Sequence, residues 1–115
     1  MNIFSSTEVP ESPVMLPIPL YDIEATTALV KWKPRDTGKS PIRYYTLQYN
    51  QQPDGWKNYT SNLTNRVDID ASLTQLRVTR LKPSSAYSFR IKATNDVGDS
   101  AWSQGSNTIT THPDG

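Results

Sequence analysis

With 115 residues and a net charge of +1, the chain has the length of one domain and no global charge that would draw nucleic acid or an anionic membrane. It contains no cysteine, which excludes thiol catalysis, zinc–thiolate sites and a disulfide framework together. No apolar run reaches the roughly 18 residues that a membrane-spanning helix needs, and the length suffices to bury a core without staples.

Residues 1–17 are polar and punctuated by Pro10, Pro13 and Pro17. They read as a linker over 1–12 that feeds a first edge strand, because proline tolerates edges and strand starts. They lack a basic start followed by an apolar stretch, so no secretory leader is expected in them. Apolar alternation then recurs in short segments: Ile18 and Leu20; Ala28, Val30 and Trp32, closed by Pro34; and Tyr45, Leu47 and Tyr49. The third of these follows the turn Thr37-Gly38-Lys39-Ser40-Pro41. Trp56 to Tyr59 follows Pro53-Asp54-Gly55, Val67 and Ile69 mark a short strand, and Leu76 and Val78 run to Leu81. Tyr87, Phe89, Ile91 and Ala93 then alternate strictly, and Thr108 to Thr111 makes the last strand before a linker over 112–115. About seven short strands between Gly/Pro turns predict an all-β, antiparallel two-sheet sandwich, and no segment shows a helical period.

The segment Leu81-Lys82-Pro83-Ser84-Ser85-Ala86-Tyr87 has the form of a tyrosine corner. In such a corner the phenol bonds back to the upstream backbone and fixes a crossover between sheets. The pattern from Leu76 to Asn95 closely resembles the E–F region of a fibronectin type III domain. Further anchors agree: Trp32 on the second strand, Gly38 to Ile42 leading into Tyr45, Leu47 and Tyr49, Trp56 on the next strand, and Asn95, Gly98 and Ser100 after the long strand. The resemblance spans about residues 13–111 and implies a seven-stranded sandwich of immunoglobulin-like topology without a disulfide. Trp32, Tyr45, Leu47, Leu81, Tyr87, Phe89 and Ile91 are then core, with Trp32 and Tyr45 crossing between the sheets. One departure is the length of the stretch from Trp56 to Leu81, which predicts a protruding loop or an extra strand within 57–75.

Catalysis finds no footing. The one histidine, His112, lies in a tail, and there is no Gly-rich phosphate loop or metal-ligand cluster. No enzyme activity, cofactor or metal is therefore expected. The resemblance implies a binding or spacer module of a multidomain cell-surface adhesion or signalling receptor, similar to those of neural immunoglobulin-superfamily proteins and receptor tyrosine phosphatases. It would be extracellular or secreted, flanked by neighbouring domains of a tandem array, with a cell-surface or matrix protein as partner and without inserting into the membrane itself. Two sequons, Asn58-Tyr59-Thr60 and Asn62-Leu63-Thr64, make Asn58 and Asn62 candidate glycan acceptors. Tyr44, Thr46 and Gln48 should point outward beside Arg90 and Lys92, and these with Trp102 form a candidate partner face rich in aromatic and basic groups. Trp102-Ser103-Gln104-Gly105-Ser106 resembles a degenerate Trp-Ser-x-Trp-Ser box of cytokine receptors, with glycine in place of the second tryptophan. Arg90 and Lys92 are placed to stack on Trp102. Three other uses stay open at this point: an anionic-glycan site built from Arg77, Arg80, Lys82, Arg90 and Lys92, a cytokine-receptor-type ligand site, and an intracellular scaffold module.

Overall fold

The apolar alternation becomes two antiparallel sheets packed face to face. A computed structural model describes residues 6–60 and 68–114. Its strands are β1 (Val14–Met15), β2 (Ala28–Lys33), β3 (Tyr44–Gln51), β4 (Trp56–Asn58), β5 (Asp68–Asp70), β6 (Gln75–Val78), β7 (Ala86–Thr94) and β8 (Ile109–Thr110). One sheet has the order β1-β2-β6; the other has β4-β3-β7-β8, with β5 also on β3. The longest pairing, β3 with β7, runs from Tyr44 opposite Thr94 to Gln51 opposite Tyr87.

Among the described residues eight strands stand where the sequence suggests seven, because one edge strand is split. β4 lies opposite Gln48–Asn50, the Tyr59 N–H continues to the Leu47 carbonyl at 2.9 Å, and β5 resumes opposite Tyr44–Thr46. Both pieces use the side of β3 that β7 leaves free. The extra strand expected within 57–75 is thus β5, while Asn62 and the rest of 61–67 lie outside the described residues.

The first strand falls earlier than the alternation suggests. Ile18 is buried, but Leu20 sits on a 3₁₀ turn, Leu20–Asp22, and is exposed. Pro17 and Pro19 lack the N–H groups a strand ladder requires, so pairing with β2 is carried by Val14 and Met15. Residues 8–11, read above as linker, lie along the loop after β2: the Glu8 N–H donates to the Gly38 carbonyl and the Glu11 N–H to that of Asp36, each at 2.9 Å. Gly38 has φ +76°, and a Cβ there would lie 2.2 Å from the Glu8 carbonyl oxygen, so this closure requires glycine.

The core fills from alternate positions: Ala28, Val30 and Trp32 on β2, Tyr45 and Leu47 on β3, and Tyr87, Phe89, Ile91 and Ala93 on β7. Leu81 closes one end. Trp32 and Tyr45 come from opposite sheets and meet at 5.5 Å between ring centroids. Burial raises the Tyr45 phenol pKa above its ordinary range, with the Trp32 indole pulling the other way. Each large apolar side chain buried here contributes about 1.5–3 kcal/mol. The Tyr87 hydroxyl accepts the Lys82 N–H at 2.8 Å, which ties the β6–β7 crossover to the core.

Replacing that phenol tests the tie. Tyr87→Phe keeps the ring and strands the Lys82 amide, so urea unfolding should show a loss of about 1–3 kcal/mol with an unchanged m-value. A loss within the error of the measurement would mean the corner is held by packing alone.

Candidate functional site

The even-numbered residues of β3 and β7 face away from the core and form the outer surface of the five-stranded sheet. The register sorts them into rows: Gln48 lies between Arg90 and Asn58, Asn50 between Ser88 and Trp56, and Thr46 between Lys92 and Asp68. On this surface aromatic rings and cations alternate. The Arg90 guanidinium carbon lies 4.4 Å from the centroid of Trp56 and 4.8 Å from that of Trp102. The Lys92 ammonium lies 4.8 Å from Trp102 on the same ladder. Lys92 also pairs with Asp99 at 2.8 Å, and Thr94 donates to the same carboxylate at 2.6 Å. Arg90 Nε donates to Gln48 Oε1 at 2.8 Å, and Gln48 Nε2 to Asn58 Oδ1 at 2.9 Å, so the row is joined by side-chain hydrogen bonds across three strands.

Trp102 is held by a run of serines. The segment after β7 pairs three residues for every two of β7. Ser100, Ser103 and Ser106 donate their N–H groups to the carbonyls of Ala93, Ile91 and Phe89 at 2.8, 2.8 and 2.7 Å. Their hydroxyls accept the N–H groups of those same three residues at 2.9, 3.0 and 3.0 Å. Each hydroxyl then donates to the carbonyl of the residue that follows it. The segment therefore advances only about 2.2 Å per residue against β7, compared with about 3.3 Å for an ordinary strand. Each repeat is a bulge, and a bulge re-aims side chains; here it lays Trp102 between Arg90 and Lys92. Trp56 reaches over from β4, and the far edge of its indole lies 3.5 Å from where a Gly105 Cβ would stand. Gly105 holds the place of the box's second tryptophan, and Trp56 supplies the ring from another strand.

Several expected site residues are thus together: Gln48, Arg90, Lys92 and Trp102. Tyr44 is at the far end of the face, opposite Thr94 and Asp70. Thr46 is a correction. It faces outward, yet it is only 6% exposed, because it lies mid-sheet with Lys92 and Asp68 directly beside it. The five cations of the anionic-glycan alternative do not form one patch. Arg77 is on the outer face of the other sheet and pairs with Glu24 at 3.3 Å, Arg80 donates to the Thr60 carbonyl, Lys82 is exposed at the tyrosine corner, and Arg90 and Lys92 are in the ladder. Asn58 is exposed at the head of the Gln48–Arg90 row, with its amide oxygen held by Gln48. Among the described residues, no group of three or more His, Cys, Asp or Glu side chains could hold a metal ion.

The split-edge sandwich, the tyrosine corner and the tryptophan–cation ladder together define a β-sandwich module of fibronectin type. The family model of the fibronectin type III domain matches residues 12–109, and the chain belongs to that family. Among curated proteins it is 37% identical over 103 residues to protein sidekick-2 of Mus musculus, covering 89% of this chain and 4% of that protein. It is 31% identical over 109 residues to neuroglian of Drosophila melanogaster, covering 93% of this chain and 8% of that protein. These relatives are cell-surface adhesion proteins, of which the chain spans a small part. The crystal structure of chicken CNTN1 FN1-FN3 domains is similar at TM-score 0.75 and 31% identity, over 90% of this chain and 33% of that one. Domains A168-A170 from titin share the fold at TM-score 0.76 and 22% identity, over 91% of this chain and 33% of that one.

Two substitutions probe the ladder and its support. Ser103→Ala leaves the buried Ile91 N–H without its acceptor, and chemical unfolding should register a loss of about 1–3 kcal/mol. Hydrogen bonds from Lys92 and Thr94 hold the Asp99 carboxyl below its ordinary pKa. Its contribution is present above the unfolded value of about 3.9 and is lost as pH falls through the lower folded value. Stability of the wild-type chain should therefore fall more steeply below about pH 4 than that of Asp99→Asn. Parallel pH profiles would show that the Lys92–Asp99 pair adds nothing in solution.

Proposed function

We propose that this domain is an extracellular, non-catalytic spacer and protein-binding module of a multidomain cell-surface adhesion or signalling receptor. The observation that carries the reading is the 37% identity to sidekick-2 across 89% of the chain. The ladder supports it, since a sheet face braced by Trp56, Arg90, Trp102 and Lys92 is ordered before any partner arrives, which lowers the entropy cost of binding. In this reading Asn58 and Asn62 carry N-linked glycans, and neighbouring domains set the orientation of the module. A glycan on Asn58 covers the Gln48–Arg90 row, so a matrix or cell-surface protein would meet the opposite end of the face, around Tyr44, Lys92 and Trp102.

The glycans give the direct test. Peptides of the native protein covering Asn58 and Asn62 should lose a glycan-sized mass on N-glycosidase treatment. Bare asparagines at both positions would count against the extracellular placement and in favour of an intracellular scaffold.

A further inference from the structure

Leu20 and Tyr21 are 82% and 78% exposed, well above the other exposed large apolar side chains among the described residues, the next being Val97 at 49%. They are not on a loose loop. Ile18 and Ile23, on either side, are buried at 4% and 3% exposure. The turn is closed by the Asp22 N–H on the Pro19 carbonyl at 3.0 Å and the Ile23 N–H on that of Leu20 at 3.1 Å. Asn107 grips both the N–H and the carbonyl of Ile18, at 2.9 and 3.1 Å. Asp22 reaches Lys31 at 3.8 Å. Two large apolar groups are therefore presented on a pinned backbone, an arrangement that does nothing for the free domain and lowers the entropy cost of docking.

The two side chains stand close to where the chain leaves the sandwich. The His112 N–H donates to the Glu24 carbonyl at 3.2 Å, and the Ser84 N–H to the His112 carbonyl at 3.1 Å. The chain thus leaves the sandwich beside Glu24, three residues from Tyr21 and so within about 10 Å of it along the backbone. A domain joined after a short linker has this turn within reach. The similar chicken CNTN1 structure carries three such domains in one chain, of which this chain matches 33%.

We infer that Leu20 and Tyr21 form the docking knob for the β-sandwich domain that follows this one in a longer chain, seated in an apolar patch at that domain's near end. Interfaces between domains of one chain cover about 600–1,500 Å², and two such side chains suffice as the centre of one at the lower end of that range. The inference depends on the tandem arrangement and not on what the module binds.

Hydroxyl-radical footprinting of the 115-residue chain and of the full natural chain tests it. Leu20 and Tyr21 should label readily in the former and severalfold less in the latter, while Leu73, 40% exposed on another turn, labels alike in both. In the full chain, deletion of the following domain should restore labelling. The double variant L20S/Y21S should widen the distribution of inter-domain angles seen by small-angle scattering, with no change in Tm of the 115-residue chain. Equal labelling in the two chains overturns the inference. Protection that disappears on dilution assigns the knob to a second copy, and protection that survives the deletion assigns it to another partner; either result also overturns it.

Discussion

The register between β3 and β7 is the constraint on which the rest of this domain depends. Eight residue pairs, Tyr44 with Thr94 through Gln51 with Tyr87, decide which side chains enter the core and which form the outer face. A slip of β7 by one residue against β3 would turn that strand over, sending Phe89 and Ile91 to water and Arg90 and Lys92 into the interior. The cost of burying those two charges without partners far exceeds a pairing change, so the register has one solution. Once it is set, Arg90 must emerge beside Gln48, and Lys92 must cover Thr46.

Two kinds of order then share one sheet. Inward, the aromatic and aliphatic groups are held by burial and by the phenol of Tyr87 on the Lys82 amide. Outward, the groups are held by cation–π contacts and charge-assisted hydrogen bonds, which depend on ionic strength and pH in a way the core does not. The outer face is therefore the part of the domain whose rigidity responds to its surroundings. It is also where the Asn58 sequon opens, at the edge of the same row.

Most of the architecture is legible in the sequence because it rests on local rules. Period-2 alternation placed Trp32, Tyr45 and Phe89, and the Leu-x-Pro turn before Tyr87 announced the corner. What escaped is what those rules do not encode. The serines at 100, 103 and 106 repeat every third residue, which fits neither a strand nor a helix, so the spacing carried a signal that the two periodic templates overlook. Trp56 could be placed on an edge strand, but its reach to Gly105 depends on the small neighbours Asn50 and Ser88 in its row. Alternation assigns Thr46 a face and not its cover, so its burial is not legible in the sequence. Leu20 alternates with Ile18 as a strand residue would, but the prolines on either side of Ile18 deny that stretch a ladder.

The serine-bonded segment also decides what can happen at its side of the sandwich. An exposed strand normally offers a regular row of amides and carbonyls to any chain with matching spacing. Here the carbonyls of Ala101, Gln104 and Asn107 are already taken by the serine hydroxyls, and the contracted backbone is out of step with a strand of ordinary pitch. A visiting strand could find one partner but not a series. Beside another domain with strands of ordinary pitch, that mismatch keeps the two from zipping together along their sides.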